Sequence, residues 1–304
     1  MEVRVGAVLL DAAAPFDALG DVAGSARYAE RAGLDSLWAG DHLLLGETPL
    51  LDSTLTLAAA TSTIAIGSAV FLPSLRPLAW AGRQVATLAH LASGRLELGV
   101  GAGAGPEQEY RAAGQLRGDR GRRTDEFLQA LPHLVAGGPV TVGSGDDTIT
   151  IRLRPAVAMP TVWVGGCSPA ALRRTVRFGD GWLGALLSPV EFGRARDRLR
   201  DLADAAGRPA PRLGLVTHAR DRPRGSPLSR RGRSGGAAPV LRTVAGAGRP
   251  VGGGRHSGTS RPPPRGVRRS RCEHVVVIND RTPWQQACDL LRKTRDELAQ
   301  IPGA

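Results

Sequence analysis

A histidine with the chemistry for proton transfer follows a short apolar run near the amino terminus, in the sequence Gly40-Asp41-His42. An imidazole changes its charge near neutral pH, so it can move a proton or form a hydrogen bond with a ring-shaped ligand. A structural interpretation stays open beside the chemical one, because Asp41 and His42 can also simply tie a loop together. We take His42 as the candidate catalytic residue.

Two segments of small residues are candidates for ligand binding. One is Gly99-Val100-Gly101-Ala102-Gly103-Ala104-Gly105, and the other is Gly165-Gly166-Cys167-Ser168-Pro169. The second exposes backbone N–H groups beside the start of a predicted helix, which favours phosphate or another anion, although an ordinary strand-to-helix turn has the same composition. The first contains Gly-x-Gly-x-Gly and not Gly-x-Gly-x-x-Gly, so it is weak evidence for a dinucleotide-binding fold.

Three larger side chains follow the first of these segments, and they are candidates for lining the mouth of a site: Glu107, Glu109 and Tyr110. Acidic residues in a first helical turn are also expected from the helix dipole alone. The sequence contains no Walker motif, no Gly-x-Ser-x-Gly elbow and no His/Glu cluster with metal-ligand spacing, so we predict no metal site.

The elements that must position these residues alternate between short apolar or β-branched runs and longer helical segments. This pattern is typical of parallel strands that crossover helices bury on both faces. We predict an α/β fold, a (β/α)8 TIM barrel with eight strands, at residues 3–10, 36–39, 64–71, 96–100, 161–164, 181–187, 213–217 and 274–278. The working face of such a barrel lies at the carboxyl ends of its strands, where the candidate residues fall.

Local signals mark several element boundaries. Gly33 and Gly179 stand where left-handed residues would end helices. Ser168-Pro169 and Thr282-Pro283 are typical of helix starts. Residues 139–142 and 148–151 alternate around a Gly/Asp-rich turn, which predicts a small antiparallel hairpin on the barrel rim.

The net charge of +12 is concentrated in one stretch of the chain. Residues 220–271 carry 14 arginines and one acid, Asp221, whereas the remainder has 26 basic and 27 acidic residues. Because the barrel sequence is nearly neutral, we do not predict a nucleic-acid partner.

The number of cysteines and the composition of the apolar stretches bear on the compartment in which the protein is expected. Cys167, Cys272 and Cys288 are too few and too scattered for a disulfide framework or a zinc site, which favours a reducing cytoplasm. No signal peptide is visible, and residues 55–72 contain too many hydroxyl side chains to be interpreted as a membrane span. We expect a soluble cytoplasmic protein that does not insert into membranes.

The basic segment 220–271 interrupts an otherwise regular barrel. It contains Gly252-Gly253-Gly254 and Pro262-Pro263-Pro264, and no amphipathic helix of useful length can be drawn through it. A disordered polyanion-binding insertion, a loop that folds around an anionic ligand and a shifted reading frame are three explanations, of which we favour the last. We expect one domain over residues 1–304, with barrel sequence at 1–218 and 272–300. Without a regular helix in segment 220–271, the apolar flanks of two strands would be exposed, which favours low stability or homodimerisation.

Four motifs, in order, resemble the bacterial-luciferase-like flavin or deazaflavin oxidoreductases over residues 1–218 and 272–300. The first, at residues 28–42, is Tyr-Ala-Glu-Arg-Ala-Gly-Leu-Asp-Ser-Leu-Trp-Ala-Gly-Asp-His. The others are Ile-Ala-Ile-Gly-Ser-Ala-Val at residues 64–70, the run at 86–103 that ends in Gly-Val-Gly-Ala-Gly, and Trp-Val-Gly-Gly-Cys-Ser-Pro-Ala-Ala-Leu at 163–172 with Gly-Asp-Gly-Trp at 179–182.

The resemblance implies a barrel that binds coenzyme F420 or reduced flavin at the carboxyl ends of its strands. His42 would lie beside the ring, and Ala69 and Val70 would form a bulge, often with a non-prolyl cis peptide, that supports the ring's other face. The remaining residues implied to contact the cofactor are Asp41, then Gly101, Ala102 and Gly103, and, around the phosphate, Gly165, Gly166, Cys167 and Ser168. Glu107 and Tyr110 are the candidate substrate contacts.

The implied reaction is hydride transfer between coenzyme F420 and a small organic substrate that the sequence does not identify. Lys293 is the only lysine, which is typical of high-GC genomes, where members of this family are often deazaflavin-dependent. An FMN-dependent monooxygenase is one alternative, since the motifs do not separate the two cofactors. A non-catalytic or damaged barrel is the other, because segment 220–271 departs from the family pattern.

Overall fold

The computed structural model describes residues 3–10, 21–44, 53–143, 145–218, 272–279 and 282–299. Segment 220–271 lies outside these residues, so its irregularity and the expectation of one domain stay predictions.

Eight parallel strands close into a barrel in the order β1-β10-β9-β8-β7-β4-β3-β2. This confirms the predicted TIM-barrel fold, with every predicted strand boundary within two residues of the observed one. The barrel strands are β1 Arg4–Leu10, β2 Ser36–Ala39, β3 Ala65–Phe71, β4 Leu96–Val100, β7 Thr161–Gly165, β8 Gly181–Ala185, β9 Arg212–His218 and β10 His274–Ile278.

Helices cover the outside of the barrel and bury the apolar residues of the strands that face outward. They are α1 Val22–Arg31, α2 Ser53–Ala60, α3 Leu78–Ala92, α4 Glu107–Ala112, α5 Arg120–Val135, α6 Pro169–Phe178, α7 Pro189–Ala205 and α8 Trp284–Ala299. Within the described ranges, none of these helices has the length and apolar character needed to cross a membrane.

The predicted hairpin is present as β5 Val140–Val142 and β6 Ile149–Ile151, paired antiparallel. It connects the end of α5 to the start of β7. In a (β/α) barrel the helix ends and the strand starts meet at the amino face, so the hairpin decorates that face, opposite the candidate site.

The structure corrects two of the predicted boundary signals. Gly33 has a φ of 80° and is left-handed as predicted, but Gly179 is extended, with a φ of −95°. The reason for glycine at 179 is space, since a Cβ there would lie 3.1 Å from the carbonyl oxygens of Thr175 and Gly181.

The start of the last helix lies one residue later than the Thr282-Pro283 signal predicted. Helix α8 begins at Trp284, and the Pro283 carbonyl accepts the first helical hydrogen bond from Ala287 N at 2.9 Å. Pro283 therefore occupies the N-cap position that we predicted for Thr282.

Two tryptophans fill the interior of the barrel. Trp38 and Trp163 are fully buried in a cluster with side chains from four other strands. Glycines on neighbouring strands make room for them, because a Cβ on Gly67 would lie 2.2 Å from the Trp38 ring and one on Gly181 would lie 2.4 Å from the Trp163 ring. The interior is a packed core and not a channel.

A buried polar group stands beside these rings. Ser36 Oγ accepts a hydrogen bond from Trp38 Nε1 at 2.8 Å and lies 2.7 Å from His274 Nε2. Burial, together with the positive charges of Arg4 and Arg212, holds the pKa of His274 well below its ordinary value. This imidazole is therefore neutral, and it acts as a packing and hydrogen-bonding group.

We expect the Glu30→Ala substitution to destabilise the protein by about 2 kcal/mol at neutral pH, since hydrogen bonds to a charged acceptor are strong. Glu30 Oε1 accepts from the backbone N–H groups of Ser62, Thr63 and Ile64 at 2.6 to 3.0 Å. Partial burial alone would raise the pKa of this carboxyl, but these donors and the Thr63 hydroxyl outweigh it and lower the pKa from 4.5 to about 2.

The Glu30 contribution should therefore be complete above pH 4.5 and decrease as the pH falls toward 2. Urea unfolding of wild type and variant at pH 7 and at pH 3 would measure the difference. Glu126→Ala is the control, because Glu126 makes an exposed ion pair with Arg122 and its loss should cost no more than about 1 kcal/mol. A Glu30 effect that is independent of pH would contradict the assignment.

Candidate active site

The candidate residues belong to four strands that are neighbours in the barrel, in the order β7-β4-β3-β2. His42 follows β2, the Ala69–Val70 pair lies within β3, and the two glycine-rich segments follow β4 and β7. Parallel strands end at the same face, so the structure brings these four segments together on one side of the barrel mouth.

His42 forms a pair with a buried carboxylate. Its Nδ1 atom lies 3.2 Å from both carboxylate oxygens of Glu109, whose side chain is 0% exposed, while the His42 side chain is 26% exposed. With the Glu109 carboxylate as acceptor, this contact favours the tautomer that carries its hydrogen on Nδ1 and leaves Nε2 without one. Glu109 also accepts from the backbone N–H groups of Leu43 at 2.6 Å and Leu44 at 3.3 Å, which fixes the loop around the histidine.

Gly105 allows this pairing. A Cβ at position 105 would lie 1.7 Å from Glu109 Oε2, so any side chain there would expel the carboxylate. The glycine-rich segment after β4 thus has a role that its sequence did not reveal, because it leaves space for the partner of His42.

The expected bulge is present in β3. The Ala69–Val70 peptide bond is cis, and the pairing register between β3 and β4 shifts between Ser68 and Phe71. Val70 lies against two glycines, since a Cβ on Gly101 would lie 2.5 Å from Val70 Cγ2 and one on Gly165 would lie 2.9 Å from Val70 Cγ1. The result is an apolar surface at Val70 that is bordered by bare backbone.

The segment after β7 contains a glycine with a positive φ, and no acidic side chain lies in the first turn of the helix that follows. Gly166 has a φ of 110°, and its carbonyl accepts from Trp182 Nε1 at 2.8 Å. Ser168 caps α6, with its Oγ accepting from Ala171 N at 3.2 Å, and both Cys167 and Ser168 are exposed. The first turn of α6 contains no acidic residue, so its partial positive charge is available to an anion.

Helix α7 provides a contrast at the next strand end. Its N-cap Ser188 forms a capping box with Glu191, so an acidic side chain already occupies that helix start. Of these two adjacent helix starts, α6 is the one suited to a phosphate.

Asp41 lies beside His42 in sequence but points to different partners. Its side chain is 6% exposed, and its two oxygens accept from Leu72 N at 2.8 Å and from Arg76 Nη2 at 2.7 Å. Burial raises the pKa of this carboxyl above 3.8, and the ion pair with Arg76 opposes that shift. Both oxygens are thus engaged by protein partners, and a contact between Asp41 and a cofactor stays a prediction.

The two residues expected to contact substrate are placed differently from one another. Glu107 is exposed in the first turn of α4, whereas Tyr110 is fully buried and donates its hydroxyl to Ala102 O at 2.9 Å. Burial raises the pKa of Tyr110, so the phenol remains a donor. Tyr110 therefore supports the glycine-rich segment through this hydrogen bond, and its contact with a substrate stays a prediction.

The sequence did not point to Arg76, nor to Glu109 as the partner of His42. A signal existed for Arg76, since it is a lone charge in the apolar run Phe71-Leu72-Pro73-Ser74-Leu75. For Glu109 the only signal was its proximity to a glycine-rich segment. In the part of the chain that the structure describes, no group of three His, Cys, Asp or Glu side chains is arranged to hold a metal ion.

Known proteins share this architecture. An F420-dependent glucose-6-phosphate dehydrogenase from Beutenbergia cavernae is 35% identical over 167 residues, which is 51% of this chain and 49% of that protein. An F420-dependent secondary alcohol dehydrogenase in complex with an F420-acetone adduct has a similar structure, with a TM-score of 0.67, 17% identity and coverage of 97% of this chain and 98% of that one.

A flavin enzyme is similar as well. The oxygenating constituent of 3,6-diketocamphane monooxygenase from Pseudomonas putida, in complex with FMN, has a TM-score of 0.61 and 19% identity over 72% of this chain and 68% of that one. The chain spans between 46% and 62% of the length of the curated relatives that it matches. The family model for luciferase-like monooxygenases matches residues 4–221. The chain therefore belongs to the luciferase-like monooxygenase family.

Proposed function

We propose that this protein is an oxidoreductase that transfers a hydride between coenzyme F420 and a small organic alcohol or carbonyl compound. The observation that carries the proposal is the His42–Glu109 pair, 3.2 Å apart, on the same barrel face as the Val70 surface. A proton-transfer group on the same face as an apolar, glycine-bordered wall suits hydride transfer to or from a ring cofactor.

The residues at the barrel mouth fit such a cofactor. Gly101 and Gly165 bring bare backbone against Val70, because a Cβ at either position would collide with the valine methyl groups. Ala102 and Gly103 continue this border, while Gly165, Gly166, Cys167 and Ser168 would hold the phosphate at the start of α6. When bound, the deazaflavin would supply a carbon that accepts or donates a hydride.

The protein's own contribution is to handle the proton. With Nδ1–H held by Glu109, His42 Nε2 can take a proton from an alcohol oxygen or return one to a carbonyl oxygen. Glu109 stabilises the imidazolium that forms, because a buried carboxylate close to a new positive charge interacts with it strongly. His42 would thus be the catalytic residue and Glu109 its orienting partner.

Support for F420 over FMN comes from the sequence relatives. The relative from Beutenbergia cavernae carries F420 dependence in its name, as does a hydroxymycolic acid dehydrogenase from Mycobacterium tuberculosis at 31% identity over 201 residues. An FMN-dependent monooxygenase is the second candidate, because the 4-hydroxyprotoasukamycin monooxygenase of Streptomyces nodosus is 32% identical over 178 residues.

The test is a titration of the purified full chain with F420 and with FMN, followed by absorbance and fluorescence. We expect saturable F420 binding, then F420 reduction with one or more members of a panel of primary and secondary alcohols. Binding of FMN alone would support the monooxygenase. Binding of neither cofactor by a chain with a folded circular dichroism spectrum would overturn the proposal and favour a non-catalytic barrel.

A further inference from the structure

We infer that Asp41 and Arg76 are positioning residues whose buried ion pair locks the turn at residues 72–76 and so holds the Ala69–Val70 bulge against the strand end that carries His42. The inference rests on the proposed function, since the bulge and His42 are the two features that would flank the cofactor ring.

The Asp41 carboxylate binds both ends of this turn. One oxygen accepts from the backbone N–H of Leu72 at 2.8 Å, and the other accepts from the Arg76 guanidinium at 2.7 Å. The two side chains are 6% and 9% exposed. Because Asp41 directly precedes His42, the end of β2 and the turn after β3 are joined into one rigid unit.

The same turn reaches the glycine-rich segment after β4. Ser74 Oγ donates to Ala102 O at 3.3 Å, and that carbonyl also accepts from Tyr110 at 2.9 Å. Arg123 of α5 donates to the Arg76 carbonyl at 2.8 Å, which fixes the turn from outside. The turn is thus connected to three of the segments expected to surround the cofactor: Asp41-His42, Ala69-Val70 and Gly101-Ala102-Gly103.

The chemistry of the pair suits positioning better than stabilisation. The Arg76 guanidinium lies 4.6 Å above the centre of the Phe71 ring, in apolar surroundings where two charges are costly to bury. An apolar pair of similar volume is often as stable as a buried ion pair, but it does not fix distance and angle as a guanidinium–carboxylate contact does. The pair therefore serves to fix the position of the turn at residues 72–76 relative to the end of β2.

A double variant separates geometry from stability. Either single substitution leaves one buried charge unpaired and threatens folding, whereas Asp41→Asn with Arg76→Met removes both charges. The asparagine oxygen can still accept from Leu72 N, so we expect the double variant to fold and to melt close to wild type. Hydrogen exchange across residues 69–76 should become faster, because the turn has lost its second anchor.

The decisive readout is the environment of the bound ring. We expect the double variant to bind coenzyme F420, or FMN if wild type prefers it, about tenfold more weakly, which corresponds to about 1.4 kcal/mol. The absorbance shift of the bound ring should decrease toward the spectrum of the free cofactor. Arg76→Lys in the wild-type background should retain part of that shift, because it keeps a charge opposite Asp41.

A matched control comes from a second Arg–Asp pair. Arg174 Nε and Asp125 Oδ1 lie 2.6 Å apart between α6 and α5, outside the turn. Asp125→Asn with Arg174→Met should leave the bound-ring spectrum and the exchange at residues 69–76 unchanged. If wild type binds cofactor and the Asp41/Arg76 double variant gives the same spectrum and affinity, the inference is overturned and the proposed function stands. If wild type binds neither cofactor, both are overturned.

Discussion

The His42→Ala variant should turn over about 10² to 10⁴ times more slowly than wild type with saturating F420 and an alcohol from the panel. The imidazole is 26% exposed and held by Glu109, so its removal deletes the group that moves the proton at the substrate oxygen. Little apolar contact is lost with it, and we expect the free energy of unfolding to change by no more than about 1 kcal/mol. Steady-state kinetics and urea unfolding of the same preparation would measure both effects.

His133→Ala is the matched control for this experiment. His133 is an exposed histidine on α5, so its removal should leave turnover and stability near wild type. Equal turnover in His42→Ala and wild type would assign His42 to loop structure alone. A large loss of stability in His42→Ala, with turnover lost only in proportion to unfolded protein, would lead to the same conclusion.

The Gly166→Val variant should bind cofactor about 10 to 100 times more weakly, which corresponds to about 1.4 to 2.8 kcal/mol. Position 166 has a φ of 110°, which valine adopts only with strain, and a Cβ there would lie 3.2 Å from Ala171 Cβ at the start of α6. Both effects disturb the backbone N–H groups that we propose for the phosphate. Isothermal titration with F420 and FMN would measure the loss.

Gly207→Val controls for backbone strain. Gly207 also has a positive φ, 60°, but it follows α7 and a Cβ there meets nothing within 4 Å. Both variants should lose stability by about 1 to 3 kcal/mol, since each forces a branched residue into a left-handed conformation. Only Gly166→Val should lose cofactor affinity. Equal affinities in the two variants would remove the segment after β7 from the site.

The sequence was most informative about the strands. A parallel barrel strand is buried on both faces, so its residues form a continuous apolar run that stands out between helical segments. The mostly apolar runs at residues 96–100 and 274–278 coincide with β4 and β10 at both ends, although each contains one buried polar residue, Glu97 or His274. The cis bond between Ala69 and Val70 came from a different source, because the residues themselves carry no signal for it and only the family resemblance implied it.

Side-chain partners could not be predicted in the same way. Asp41 and His42 are adjacent in sequence, yet they lie among different groups, with Asp41 on Arg76 and His42 on Glu109. That division depends on which way each side chain leaves the strand end, and on residues 35 and 67 positions away. Local composition contains no information about such distant pairs, so the pairing of Asp41 with Arg76 could not be predicted, whereas the location of His42 after a strand end could.

The packing of Trp38 and Trp163 at the centre of the barrel has a kinetic consequence. Because Trp38 packs against Gly67 and Trp163 against Gly181, the described part of the barrel interior is filled, and no path through it leads from the amino face to the carboxyl ends of the strands. When two molecules use one entrance to a site, they bind and dissociate in a fixed order. If a cofactor and a substrate bind at this mouth as proposed, we expect the deeper of the two to arrive first and depart last, so the tryptophans that stabilise the fold would also set the order of binding and release.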